Sequence, residues 1–402
     1  MNEPTVSEFA PTELSVKSAL RTELSVKSAL RLAVMAFLLG RGLLFAFDAV
    51  GTAMTLERPD SQLSPRDPWR AFPSSPFWDG WVRWDSGWYR IIAERGYGDR
   101  TWGTNVLAFF PLFPYATRAT ATVVGNHWIA GLIVSNVSLL ASLFFLARIA
   151  ARYLDPDGVK RSLLYLLIYP SAFFLSAYYS EGLFLLVTVL SFHEYLAKRY
   201  VSCGFWGALA ALTRPTGIAL FGAFAIDYVW KLRNRSAPLS ARILGLTLIP
   251  GGLGLFMLLL YVQADDPLAF VKAHGSWGRS FASPSQALWA AISRIDWSLP
   301  RDHVNAVTVL DAITGILFLI LPLRLFRRYD LALPLYAIFL ILMPLSTGSL
   351  KSMLRLECVS FPAFFALAEL GESRDVDRII VFASAIFLGL LNVRFANWYW
   401  VG

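Results

Sequence analysis

The sequence predicts an all-α protein, a polytopic bundle of transmembrane helices, and three observations carry that prediction. Hydrophobic residues make up 56% of the chain and charged residues 16%, with a mean hydropathy of +0.52. Apolar runs of membrane-spanning length, about 20 residues, recur from Leu32 almost to the C-terminus. Lys and Arg cluster between these runs, as expected of loops held in the cytoplasm.

Taken in order, residues 1–31 read as a polar cytoplasmic tail. They contain a perfect tandem repeat, Thr12–Arg21 and Thr22–Arg31, each TELSVKSALR. Ten helical residues turn through about 1000°, leaving the second copy roughly 80° out of phase, so the copies share no buried face. The repeat reads as a tolerated duplication. Residues 32–402 read as a single membrane domain. Its first span, about 32–54, lacks the short apolar core and cleavage site of a removable leader and reads as an uncleaved signal anchor.

Basic clusters at Arg148, Arg152, Lys160 and Arg161, at Lys198 and Arg199, at Lys231, Arg233, Arg235 and Arg242, and at Arg324, Arg327 and Arg328 place those loops in the cytoplasm. The loops at 55–105 and 264–303 balance acids against bases and are placed outside. Parity then requires that 106–125, which holds Pro111, Pro114 and Arg118, dips or lies at the outer interface rather than crossing. Non-helical backbone at that depth must be covered or line a cavity, which makes this segment a site wall. Further spans are expected at about 128–150, 162–178, 180–197, 243–263, 304–323, 331–346, 355–370 and 379–396. Between Cys203 and Trp230, two short apolar pieces flank Arg214-Pro215 and form either a tight two-span hairpin or a re-entrant loop. The total is about nine to eleven spans, with the C-terminus outside.

The +8 charge belongs to these loops. No soluble basic domain presents it, so nucleic acid is excluded as a partner. Cys203 and Cys358 have no metal-ligand spacing and imply neither a disulfide framework nor a zinc site. Asp155-Pro156-Asp157 and Asp375-Val376-Asp377 resemble cation-holding triplets, but lie in short loops with no room for a nucleotide domain and read as solvated acids.

The densest chemistry lies in Phe77–Tyr97, where Trp78-Asp79 and Trp84-Asp85 stand among aromatics and arginines, followed by Phe109-Phe110-Pro111-Leu112. Trp and Tyr favour the membrane interface, so a carboxylate here sits where a lipid-borne substrate would present its reactive end. An interfacial anchoring helix is the plainer alternative. Asp85 and Asp79 lead as bases toward a hydroxyl; with an ordinary carboxylate pKa such a base acts only in concert with bond cleavage. Glu94 falls on another side of a continuing helix. Tyr179-Ser180-Glu181 marks an outer turn. Arg214, Lys351 and Arg355 are cations suited to a phosphodiester, although basic helix ends also simply snorkel. The loop Asp265–Phe270, with His274, Trp277 and Arg279, is able to wall the site from the opposite side; His274 reads as a surface histidine.

Arg83-Trp84-Asp85-Ser86-Gly87-Trp88-Tyr89 through Gly96-Tyr97, then Phe109-Phe110-Pro111-Leu112, resemble the PIG-V-type mannosyltransferases, and most closely their bacterial relatives. Tyr169-Pro170-Ser171, Tyr179-Ser180-Glu181, Leu212–Gly217, Asp266–Phe270 and Ser352–Arg355 extend the likeness over roughly residues 30–400. The resemblance implies a GT-C-like bundle with two extracytoplasmic loops forming the site. It implies inverting transfer of mannose from polyprenyl-phosphate mannose to a lipid or glycan acceptor, without a metal or other cofactor, in a bacterial-type plasma membrane. Asp85 is the implied general base. Arg83, Trp84, Trp88, Tyr89, Tyr97, Glu181, Arg214, Lys351 and Arg355 are the expected substrate-binding residues. The family's C-terminal Met-Pro-Arg-Tyr is altered here, with Leu354 for the proline and Leu356 for the tyrosine. The rival readings are a flippase of lipid-linked sugars, for which no internal symmetry is visible, and a GT-C transferase using another sugar or a protein acceptor.

Overall fold

The computed structural model describes residues 24–55, 58, 70–99, 101, 103–293 and 303–401, and all regular elements among them are helical. The first repeat copy lies outside the described residues. Helix α1 (Val26–Met54) starts inside the second copy, six residues before the expected boundary at Leu32. Ser25 caps it by accepting from Ser28 N at 3.2 Å, so polar residues propagate a helix that the apolar pattern alone would start later.

The short α2 (Pro76–Asp79) and α3 (Ser86–Arg95) carry the aromatic–charged stretch. After a 3-10 turn at Thr104–Ala108 comes α4 (Leu112–Val124), whose buried face includes Phe113, Thr117 and Ala121. Its 13 residues rise about 20 Å, less than a bilayer core. Helix α5 (His127–Ala150) follows.

The span expected at 162–178 is instead a shorter helix and a buried irregular strip. Helix α6 (Pro156–Ile168) is capped by Asp155, whose side chain accepts from Gly158 N at 2.7 Å. It ends because Tyr169 precedes Pro170, and a residue before proline is pushed to extended backbone. The strip from Tyr169 to Ser180 is fully buried. Its backbone is satisfied by neighbours: Ser135 Oγ donates to Tyr179 O at 3.0 Å, Asn136 Nδ2 to Ser176 O at 3.0 Å, and Tyr178 N to Trp81 O at 3.0 Å. Irregular backbone survives inside an apolar bundle only with such partners.

Helix α7 (Glu181–Leu196) leads to α8 (Tyr200–Thr213) and α9 (Ala219–Arg233), which break at Arg214-Pro215. Tyr200, opening α8, meets Tyr228, near the end of α9, with ring centroids 5.5 Å apart. The chain therefore turns back on itself with Arg214 at the tip, a geometry common to the hairpin and re-entrant alternatives. Beyond lie α10 (Leu248–Ala264), α11 (Ala269–His274), α12 (Pro284–Ser293), α13 (His303–Ile320), α14 (Ala332–Leu345), α15 (Met353–Glu357), α16 (Phe361–Leu370) and α17 (Arg374–Ala396). The expected span at 355–370 is thus split into α15 and α16. Among the described residues five helical stretches are long and apolar enough to cross a membrane, the first Val26–Met54 and the last Arg374–Ala396. Other expected spans are made of shorter apolar helices such as α8, α14 and α16.

Basic loops gather at one end of this bundle. Lys231 Nζ contacts Asp227 at 2.7 Å and Asp330 at 2.6 Å, and Tyr153 OH donates to Asp330 at 2.5 Å. Arg152 reaches Leu196 O at 3.4 Å, and Arg161 reaches Ala368 O at 3.0 Å. Asp377 accepts from Tyr165 OH at 2.5 Å. Glu181 and Arg214, at the other ends of α7 and α8, lie on the far side.

Gly182 seats the start of α7: a Cβ there would fall 2.7 Å from the carbonyl oxygens of both Leu175 and Ser135. Backbone atoms cannot yield as a flexible side chain can. Gly182→Ala is expected to destabilise the protein by about 1–3 kcal/mol, read as a lowered thermal midpoint in detergent; an unchanged midpoint would refute this packing.

Candidate active site

A cavity of about 870 Å³ opens at the end of the bundle away from the basic loops. Its walls come from the α2–α3 junction, the 104–110 segment, the Arg214 break, the 270–281 loop, the 343–356 segment and Trp400.

Asp85 stands immediately before α3 but makes no capping bond with its side chain, which leaves the carboxylate to the cavity. Trp84 before it has φ 52°, a left-handed conformation costly for a bulky residue. Its ring is held edge-on between Trp398 at 5.6 Å and Trp400 at 5.4 Å. Tyr179 OH braces this turn, donating to Arg83 O at 3.0 Å and accepting from Asp85 N at 3.2 Å.

A chain of alternating charge runs inward from Asp85. Its Oδ2 accepts from Arg355 Nη1 at 2.5 Å. Arg355 Nε donates to Glu181 Oε1, and the same oxygen accepts from Arg214 Nη1. The Arg355 guanidinium also lies over the Tyr179 ring, 4.5 Å from its centroid. Glu181 is fully buried, whereas Arg355 and Arg214 line the cavity. Four chain segments far apart in sequence are thereby joined.

Arg355 rides on the five-residue α15, entered through Ser352 at φ 69°. Asp311 Oδ1 on α13 accepts from Leu354 N at 2.9 Å, and Ser171 Oγ donates to Leu354 O at 2.7 Å. These bonds aim Arg355 at the cavity; neither was legible in the sequence, because both partners are distant single residues in apolar segments.

Not all expected site residues are brought here. Trp84, Trp88, Tyr89, Arg214, Lys351 and Arg355 line the cavity with Asp85. Glu181 sits behind the two arginines. Arg83 and Tyr97 do not line the cavity. Arg83 pairs with Asp79 at 2.5 Å, donates to Ala396 O at 2.8 Å and lies 4.8 Å over the Trp398 ring. It is a scaffold cation tying this stretch to the end of α17, and Asp79 is spent on it. Tyr97 is 1% exposed and donates to Phe109 O at 2.6 Å, so its ring is core. Glu94 pairs with Arg90 at 2.6 Å, away from the cavity as its spacing suggested.

Arg279 and His274, from the loop expected to wall the site from the opposite side, line the cavity, and Trp400 joins them from outside the expected residues. Arg279 Nη2 donates to Lys351 O at 3.0 Å and Nη1 to Thr347 Oγ1 at 3.3 Å, and Ser280 N and Ala282 N pair with Thr347 O and Ser346 O. Burial, with Arg214 and Arg355 nearby, lowers the Arg279 pKa from its ordinary value. His274 is in the cavity wall rather than at a free surface. Trp400 comes from the aromatic run after the last helix, the one signal that marked it. Among the described residues no cluster of three or more His, Cys, Asp or Glu is placed to hold a metal.

Because Glu181 is shared by Arg355 and Arg214, Glu181→Gln leaves Arg214 without its carboxylate and Arg355 with Asp85 alone. The expected result is a loss of about 3 kcal/mol of stability and release of Arg355, seen as a lower unfolding midpoint with Asp85→Asn as the milder comparison. Equal midpoints for the two variants would exclude Glu181 as the hub.

Comparison with known proteins agrees with this architecture. A family model described as Mannosyltransferase (PIG-V) matches residues 26–232, just over half the chain. Among solved structures the chain is similar to ArnT from Cupriavidus metallidurans bound to undecaprenyl phosphate, at a TM-score of 0.51 and 18% identity. The match covers 87% of this chain and 62% of that one, so the chain spans less than two thirds of the neighbour's length, and the likeness is one of fold. No curated protein matches the chain.

Proposed function

The chain belongs to the PIG-V mannosyltransferase family; from that premise we propose that it is a membrane glycosyltransferase that transfers mannose from a polyprenyl-phosphate donor to a hydroxyl of a lipid or glycan acceptor, with Asp85 as general base. The observation that carries this reading is the charge balance of the cavity. Asp85 and Glu181 offset Arg355 and Arg214, while Arg279 and Lys351 face the same space with no carboxylate partner among the described residues. Two positive charges thus remain for a phosphate. The undecaprenyl phosphate held by the ArnT structure suggests the lipid class.

In this mechanism the acceptor hydroxyl attacks the anomeric carbon as Asp85 takes its proton. The bond between that carbon and the phosphate oxygen breaks, and its electron pair stays with the phosphate. The leaving group passes from a monoanionic diester to a more highly charged monoester. Arg279 and Lys351 meet that growing charge, a form of stabilisation worth most in a site shielded from water. Backside attack inverts the sugar. No metal is required, because the guanidinium and ammonium groups supply the neutralisation a cation otherwise would.

Arg355 uses one oxygen of Asp85; Oδ1 has no protein partner among the described residues and is left for the hydroxyl. The crowding of basic loops at the opposite end supports an extracytoplasmic site under the positive-inside rule, with the N-terminus in the cytoplasm and the C-terminus outside.

Two measurements test this. Purified protein in lipid is given radiolabelled polyprenyl-phosphate mannose and a membrane-lipid extract. Asp85→Asn should lower transfer by about 10²–10⁴-fold while folding normally, and wild-type-like turnover would remove Asp85 from the mechanism. Arg279→Gln and Lys351→Gln should each weaken productive donor use about tenfold or more, in line with a lost charge-assisted bond of about 1.5–3 kcal/mol. Unchanged donor dependence would place the phosphate elsewhere.

A further inference from the structure

One wall of the cavity is aromatic and uncharged, and the transfer chemistry above makes no use of it. His274 closes α11, and its Nδ1 lies 2.7 Å from Phe270 O. A carbonyl only accepts, so Nδ1 carries the proton. A neutral ring then has a lone pair at Nε2, and that atom has no hydrogen-bond partner among the described residues. The surroundings favour the neutral form. Burial lowers the His274 pKa, and the charges of Arg279, on the same loop, and Arg214 add to this; the Phe270 bond and Asp85 oppose it. On its own helix Lys272 is paired with Asp266 at 2.7 Å.

Flat rings continue the wall from this imidazole. Trp277 lies 6.2 Å from the His274 ring and 6.1 Å edge-on from Phe109, and Phe109 stacks on Trp88 at 6.1 Å. Asn105 lines the same space; its amide oxygen accepts from Ser276 Oγ at 2.9 Å, which leaves its amide donors to the cavity.

We propose that His274, Trp277, Phe109, Trp88 and Asn105 form a pyranose-binding subsite, in which His274 Nε2 accepts a hydrogen bond from a sugar hydroxyl. A phosphodiester has no proton to give a neutral imidazole, whereas a hydroxyl does. The apolar face of a pyranose matches indole and phenyl rings, and an amide donor serves a second sugar oxygen. The subsite is separated in chemistry from Arg279 and Lys351, which suit the phosphate. It deepens the transferase reading and rests on it for the transfer step, but not for sugar binding. The sugar belongs either to the donor or to the acceptor.

The test is saturation-transfer NMR with methyl α-D-mannopyranoside as the probe, on full-length protein in lipid nanodiscs. Wild type should show saturable contact. His274→Phe keeps a ring but removes the acceptor, and should weaken binding about three- to tenfold, the range of one neutral hydrogen bond. His274→Gln, whose amide oxygen reaches toward the Nε2 position, should restore it. No contact with wild type, or equal contact with wild type and His274→Phe, overturns the subsite. Transfer kinetics distinguish the sources: a raised KM for polyprenyl-phosphate mannose in His274→Phe assigns the subsite to the donor sugar, and an unchanged one assigns it to the acceptor. His274-dependent binding by a protein that transfers no mannose from that donor upholds the subsite and removes the transferase reading instead.

Discussion

Charge in a low-dielectric interior has to be matched locally, and at the mouth of this bundle four side chains do it in series: Asp85, Arg355, Glu181 and Arg214. Desolvating each alone would cost several kcal/mol, and the pairs offset that only while the geometry holds. The series therefore constrains backbone as well as side chains. It requires α7 to begin at Glu181, the chain between α8 and α9 to break at Arg214, and α15 to present Arg355, with the α2–α3 turn brought in beside them.

Breaking helices is how the chain makes room. A continuous helix crossing the membrane offers side chains but no cavity, since its backbone is closed on itself. Here Pro170 ends α6, Pro215 opens the turn after Arg214, and Pro111 stands at the start of α4. Each interruption frees carbonyls and amides that would be costly in an apolar medium. The partners are small polar residues such as Ser135, Asn136 and Ser171, which sit inside helices or strips that composition alone reads as merely apolar.

That contrast explains what could be read from the sequence. Glu181, Arg214 and Arg355 were visible because a charge inside an apolar run is rarely neutral to function. The stretch around Asp85 stood out for its density of indoles and charges. Arg83 had the same signature, yet it serves the scaffold: its partners, Ala396 O and the Trp398 ring, lie more than 300 positions away, and no local pattern reports that. Tyr97 went the same way, its hydroxyl taken by Phe109 O. Arg279 and His274 were noticed as part of a polar–aromatic loop, but that they face the cavity follows from the strap between Ser280–Ala282 and Ser346–Thr347, a pairing of two loops that spacing does not encode. The 162–178 segment was misjudged because hydropathy continues smoothly through Pro170 while the helix does not.

The proposed mechanism draws its selectivity from the same economy of charge. An arginine paired with a carboxylate is a poor phosphate ligand, because an incoming anion must compete with a partner already in place. Arg355 and Arg214 are in that position; Arg279 is held instead by neutral groups, Thr347 Oγ1 and the Lys351 backbone oxygen. Phosphate thus has reason to settle on the strap side of the cavity. The sugar it carries is then directed back toward Asp85, whose Oδ2 is fixed by Arg355 while Oδ1 remains for a proton. In the proposed mechanism pairing holds the base and the absence of pairing offers the phosphate site, so both ends of the reaction follow from a single rule of electrostatics.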